Sequence, residues 1–164
     1  SLASGAVDAA EWICPAADLG AGLYQAAKYY YGPGWHEPST LLDLSIDLKA
    51  WESLDGATQG LIKDMTQSFN MTVFSRFQAI NGPALQKLLG EHNVQLKTFP
   101  DEVLIALGNA AGEVVSERGS INSDTKAIAN HLLSFRKVIK EWFTKGEQDF
   151  ARIRNLPFKY PESV

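Results

Sequence analysis

Residues 55–90 read DGATQGLIKDMTQSFNMTVFSRFQAINGPALQKLLG, and this stretch decides the fold. Ile62, Met65, Phe69, Val73, Phe77 and Ile80 recur at spacings of three and four, which is the stripe of one long helix. Asp55 is placed to cap its start. About 25 residues at roughly 1.5 Å each give a rod approaching 40 Å, longer than one small lobe needs. Gly82-Pro83 is expected to interrupt or kink it, because proline lacks the N–H and crowds the preceding turn. Ala84 to Leu89 then resumes the helix, and Gly90 is a natural C-terminal stop.

Outward from this rod the pattern alternates between short strands and helices. Residues 6–14, AVDAAEWIC, form an apolar stretch with strand character toward its end, closed by Pro15. The spacing of Leu19, Leu23, Ala26, Ala27 and Tyr30 predicts a helix over 18–31 with Asp18 as N-cap. Gly32-Pro33-Gly34 stops it. Thr40 to Leu48 (TLLDLSIDL) alternates apolar and polar residues and predicts a strand with one buried face, followed by a helical turn over 49–54.

Beyond the rod, Val94 to Phe99 (VQLKTF) is a second alternating strand. Pro100, Asp101 and Glu102 open a helix to about Arg118, with acids on the positive end of its dipole. Ser123 or Asp124 opens another, on which Ile128, Leu132, Phe135, Ile139 and Trp142 are spaced 4, 3, 4, 3. That is a seam suited to packing along another helix. Gly146 is expected to break it before a last short helix over 147–154 and an extended tail. The order β-α-β-α-α-β-α-α-α has more helix than its three strands can cover. It reads as half of an α/β architecture whose missing strands come from elsewhere.

Composition narrows the chemistry. The 164 residues are 45% hydrophobic and 21% charged, a globular balance that excludes disorder. The net charge of −4 argues against a nucleic-acid partner, since neutralising phosphates needs a basic face. Cys14 is the one cysteine, so an intrachain disulfide and a thiolate zinc site are both excluded. No run approaches the roughly 18 apolar residues of a membrane span. The chain starts at Ser1 without a basic or apolar leader, so it is expected to be processed or part of something longer.

The chemically dense region is Glu11 to Glu37, which holds Trp12, Tyr24, Tyr29, Tyr30, Tyr31, Trp35 and His36 as well. Two of four Trp and four of five Tyr lie in these 27 residues. Such rings can wall a small-ligand pocket or pack a core; the pattern alone leaves both open. His36 and Glu37 follow a Gly-Pro-Gly-Trp turn, where loops commonly carry function. In extended chain they point opposite ways, so one of them faces away. HEP is not HExxH, so a zinc-protease reading fails. A site built from His36, His92 and His131 has no supporting spacing. GxSxG, GxGxxG and Walker patterns are absent from the sequence. Gly20-Ala21-Gly22 reads as close helix packing. Between Ala10 and Pro38 the one cation is Lys28. An acid bound here needs an Arg from another segment or a metal ion to hold its anionic group.

The stretch Gly5 to Pro38, with VDAAEW at 7–12, AKYYY at 27–31 and PGWHEP at 33–38, resembles the substrate-binding subunits of TRAP transporters, the DctP-type extracytoplasmic solute receptors. It is most similar to their branch for 2-oxo acids and related monocarboxylates. NGPALQKL and LKTFPDEVL (96–104) agree, and the resemblance runs to about Trp142. It implies a periplasmic-binding-protein-like α/β fold of the class II type, with two lobes and a long inter-lobe helix. The chain would be its C-terminal half: ligand-contacting strands and hinge over 1–54, the long kinked helix over 55–91, and a second-lobe strand with C-terminal helices over 92–164.

The same resemblance implies a periplasmic carrier and not an enzyme. It would pass a small organic acid (a 2-oxo acid, lactate or another carboxylate) to membrane permease subunits. A bridging cation, Na⁺ or Ca²⁺, would be held by the Trp12 carbonyl and the Glu37 carboxylate. The Trp12 indole would cover the ligand, with Trp35 and His36 shaping the pocket. The Arg that clamps the carboxylate would belong to the other half of the fold. Cys14 departs from the Gly that this branch often has before Pro. Two other readings stand beside this one. One is a metal-dependent enzyme of oxo acids with His36 and Glu37 as acid and base. The other is a helical interaction module whose partner seam is 128–142, and these C-terminal helices are the expected contact of a homodimer.

Overall fold

The computed structural model describes residues 1–37 and 43–161. They form two units, Ser1–Pro100 and Asp101–Val164. Among the described residues, no helix is long and apolar enough to cross a membrane.

In the first unit, α1 covers Pro15–Gly20, a 3-10 turn Leu23–Gln25, β1 Tyr29–Gly32, α2 Leu48–Glu52, α3 Gly56–Gly90 and β2 Gln95–Thr98. The long helix is the expected one, and at 35 residues it exceeds the expectation, running about 50 Å. Asp55 caps it: one carboxylate oxygen accepts the Thr58 N–H and the other the Thr58 hydroxyl, both at 2.9 Å. Pro83 lies inside the helix without ending it. At the far end Asn93 takes a left-handed φ of 54°, and the Val94 N–H returns to the Leu88 carbonyl at 2.9 Å. Asn is among the residues that tolerate this conformation. The turn returns Val94 to Leu88, and with Ala84 these are the buried apolar residues among those described in the unit.

β1 and β2 pair in parallel, Tyr29 opposite Gln95 through Gly32 opposite Thr98. A parallel pair requires a crossover, here the 62 residues that contain α2 and α3. Tyr31 packs on Phe99 with ring centroids 5.1 Å apart. The second strand is thus as expected, but three other expectations are corrected. Residues 6–14 are irregular and hold no strand. The single helix expected over 18–31 is α1, a 3-10 turn and β1. Gly22, at φ 69°, ends the first piece in a conformation that suits glycine. The Tyr29–Tyr31 triplet goes extended because aromatic side chains fit a pleated surface, alternating outward and inward. Of the strand expected over 40–48, residues 40–42 lie outside the described residues. Residues 43–47 are irregular, and Leu48 already belongs to α2, which Asp47 caps through the Ala50 N–H at 3.0 Å.

The second unit is helical: α4 Asp101–Gly119, α5 Ser123–Phe143 and α6 Asp149–Arg154. Asn122 and Thr125 form a reciprocal capping box at the start of α5. Gly119 lets α4 approach α5 closely; a Cβ there would lie 2.7 Å from that of Ala129. Gly146 does not break the chain as expected. A wide π turn over Thr144–Gln148 carries α5 into α6, with the Trp142 indole beside Gly146. The 4-3-4-3 seam is largely exposed: Ile128, Leu132, Phe135 and Trp142 face solvent, Trp142 at 67%.

Candidate functional site

The site is built on the ends of three pieces of the first unit. α1 lies against α3. Cys14, at its N-cap position, gives no side-chain cap. Instead Asn81, from the C-terminal third of α3, accepts the Ala16 N–H at 3.1 Å. Asp18, expected as an N-cap, sits within α1 and is 6% exposed. One of its carboxylate oxygens accepts the Ile13 N–H at 3.3 Å, and the other accepts the Tyr30 hydroxyl. Burial and the adjacent carboxylate push the Tyr30 hydroxyl well above its ordinary range, so it stays a donor. One buried acid therefore ties the Trp12–Ile13 segment, α1 and β1 together.

That tie brings the two motif segments into contact. The chain leaving β1 returns past Trp12's neighbour, and His36 Nε2 lies 3.4 Å from a Glu11 carboxylate oxygen. Trp35 packs edge-on to the His36 ring, centroids 5.5 Å apart. Trp12 and Trp35 are 55% and 40% exposed, so they are surface rings and not core. Glu37 is exposed as well. The dense aromatic region thus divides. Tyr24 and Tyr30 are structural, Tyr24 stacking on His92 at 3.7 Å, while Trp12, Trp35 and His36 are exposed. That stack engages His92, and His36 faces Glu11.

Among the described residues no group of three or more His, Cys, Asp or Glu is arranged to hold a metal by itself. The oxygens on offer are the Trp12 carbonyl and the carboxylates of Glu37 and Glu11. These are hard donors, and their chemistry fits Na⁺ or Ca²⁺ and not zinc or copper. Together they would fill only part of a shell, and the remaining positions would fall to the bound acid, to water or to other protein oxygens. Reasoning from sequence passed over two residues here. Glu11 stood in the aromatic cluster without a role, and Asp18 was assigned to a helix end. The signal for Asp18 is an acid flanked by Ala16, Ala17 and Leu19, apolar on both sides.

A family model described as DctP, bacterial extracellular solute-binding protein, family 7, matches residues 1–120. A monocarboxylate 2-oxoacid-binding periplasmic protein of Nostoc sp. is 35% identical over 150 residues, covering 92% of this chain and 41% of that protein. A TRAP transporter solute binding protein from Bordetella bronchiseptica matches in structure with a TM-score of 0.83 at 32% identity, covering 93% of this chain and 45% of that one. That crystal structure is a mixed-occupancy dimer, with copurified calcium and picolinate in one active site and the other apo. The chain spans less than half the length of these relatives.

Proposed function

The chain belongs to family 7 of the bacterial extracellular solute-binding proteins, and from that premise we propose that it is the ligand-contacting part of a TRAP transporter receptor. In this reading it captures a small organic acid outside the cytoplasm, in the periplasm, and delivers it to membrane permease subunits. The acid is a 2-oxo acid, lactate or a similar monocarboxylate. The protein binds and releases it unchanged.

The observation that carries this reading is the contact of Glu11 with His36. It supports the reading because it brings VDAAEW and the PGWHE loop, 24 residues apart from Trp12 to His36, within reach of one another. There Trp12, Trp35, His36 and Glu37 receive the acid. A cation, held by the Trp12 carbonyl and the Glu37 carboxylate, bridges the acid's carboxylate to an otherwise anionic surface. The relatives named for 2-oxoacids and for calcium with picolinate support this chemistry. Picolinate shares a carboxylate next to a second donor atom with 2-oxo acids, an arrangement that chelates a hard cation.

Residues 1–54 serve as ligand-contacting segment and hinge, 55–91 as the helix joining the lobes, and 92–164 as the second-lobe strand and helices. Apolar residues of α3 that face solvent, such as Met65, Phe69 and Phe74, suit contact with the rest of the family fold. The exposed seam on α5 suits a second copy.

A thermal-shift screen of small carboxylates tests the reading, each acid added with Ca²⁺, with Na⁺, and with chelator in Na⁺-free buffer. A ligand specific for the folded state raises the melting temperature by mass action. Stabilisation by 2-oxo acids that chelator and Na⁺ removal abolish is the expected result. Turnover of the acid would favour the enzyme reading with His36 and Glu37 as acid and base.

A further inference from the structure

Trp12 and Ile13 share one peptide unit, and it is trans. A trans peptide is planar, with its C=O and N–H pointing in opposite directions. Whatever fixes the Ile13 N–H therefore aims the Trp12 carbonyl. What fixes it is Asp18, through a carboxylate oxygen 3.3 Å from the Ile13 nitrogen. The carboxylate cannot easily turn away, because the Tyr30 hydroxyl occupies its other oxygen and the side chain is buried.

We propose that Asp18 is a positioning residue for cation binding: by accepting the Ile13 N–H it aims the Trp12 carbonyl outward at the ion and raises that oxygen's donor strength. This rests on the cation site proposed above. The strengthening has a plain cause. An anion hydrogen-bonded to the N–H end of a peptide polarises it, so more negative charge gathers on the carbonyl oxygen at the other end. A carbonyl is the weakest oxygen of the proposed donor set, since it carries no formal charge. Asp18 places a full charge one peptide unit behind it, too far back to ligate and close enough to polarise. Outer partners of metal ligands commonly act in this way. A carboxylate that merely pinned α1 to β1 would need the Tyr30 contact but not the one to Ile13.

Trp12–Ile13 is the single Trp-Ile pair in the sequence. Carbonyl-¹³C tryptophan with ¹⁵N isoleucine therefore gives one amide correlation, reporting that peptide alone. Ca²⁺ is titrated into chelator-treated intact protein and followed on this signal and by calorimetry. In the wild type Ca²⁺ should move the Trp12 carbonyl resonance. Asp18→Asn keeps an acceptor for the N–H but loses the charge. It should shift the Ile13 amide proton upfield and raise the Ca²⁺ half-saturation roughly tenfold, the lower end of what outer partners of metal ligands contribute. Asn81→Ala, which removes a purely structural bond nearby, should leave the half-saturation unchanged.

An Asp18→Asn protein with wild-type Ca²⁺ affinity and an unmoved Ile13 amide overturns the inference and spares the cation site. A wild type whose signal ignores Ca²⁺, as Glu37→Gln does too, overturns the site and the inference together. Should Asp18→Asn fail to fold, Tyr30→Phe frees one carboxylate oxygen and should weaken Ca²⁺ binding to a smaller degree; unchanged binding there also counts against the inference.

Discussion

The side-chain oxygen of Asn81, in the C-terminal third of the 35-residue helix, accepts the backbone N–H of Ala16 at 3.1 Å. The residues are 65 apart, and the bond supplies from outside the cap that Cys14 lacks. Without it a partly buried N–H at the start of α1 has no partner. Asn81→Ala should cost about 1–2 kcal/mol of stability, the usual penalty for stranding such a group. Denaturant unfolding with an unchanged slope would show it. An unchanged midpoint would mean that water caps α1 equally well.

Glu37→Gln should weaken acid binding far more than Tyr24→Phe. Gln keeps the size and one oxygen but loses the charge proposed to hold the cation. The loss should be on the order of ten- to a hundredfold, as for a charge-assisted contact of about 1.5–3 kcal/mol. Tyr24 acts through its ring, stacked 3.7 Å from His92, and phenylalanine preserves that stack. Calorimetric titration of both variants, with and without chelator, makes the comparison. Equal affinities throughout would remove Glu37 from the site and the cation from the mechanism.

Alkaline pH should loosen the Asp18–Tyr30 tie. The folded pKa of Tyr30 is raised above its ordinary value of 10.0, first by burial and then by its bond to Asp18. A raised folded pKa means that the unfolded chain loses its proton first. The contribution is therefore whole below about pH 10 and declines as pH rises from there. Tyr30→Phe should lower stability at neutral pH and flatten that alkaline decline. Urea midpoints measured from pH 7 to 11 on both proteins give the difference curve, and parallel curves would contradict the linkage.

Gly119→Ala should destabilise the second unit by about 1–3 kcal/mol, because the new methyl overpacks the α4–α5 contact. Its Cβ would come within 2.7 Å of Ala129 Cβ. Gly108→Ala is the matched control. Nothing lies within 4 Å of a Cβ there, so the helix should gain roughly 0.5–1 kcal/mol from the better former. Opposite signs in thermal unfolding are the expected result.

Trp142→Glu should alter assembly more than folding. Its indole is 67% exposed and touches Gly146 within the chain. If the seam from Ile128 to Trp142 meets a second copy, the variant should lower the mass seen by light scattering while the monomer's secondary structure persists. Unchanged mass and melting temperature would leave the seam without a partner role.

Legible in the residues alone were the long rod, its Asp55 cap, a strand within 94–99, the helices opening after Pro100 and at Ser123 or Asp124, and the family. These depend on local rules: spacings of three and four, a capping oxygen, an acid at a helix start, and a run of motif residues. The sequence placed Trp12, Trp35, His36 and Glu37 in one region without deciding what joined them. Tertiary structure decided the rest. The Tyr29–Tyr31 triplet became a strand because β2, more than sixty residues later, offers it a parallel edge. Gly146 failed to stop α5 because a π turn absorbs it and the Trp142 ring lies alongside. Asp18 changed from a helix cap to the buried anchor of the Trp12 segment because its two partners, Ile13 and Tyr30, come from either side of it in the chain. A side chain's hydrogen-bond partners are settled by which elements converge on it, and residue spacing carries no record of that convergence.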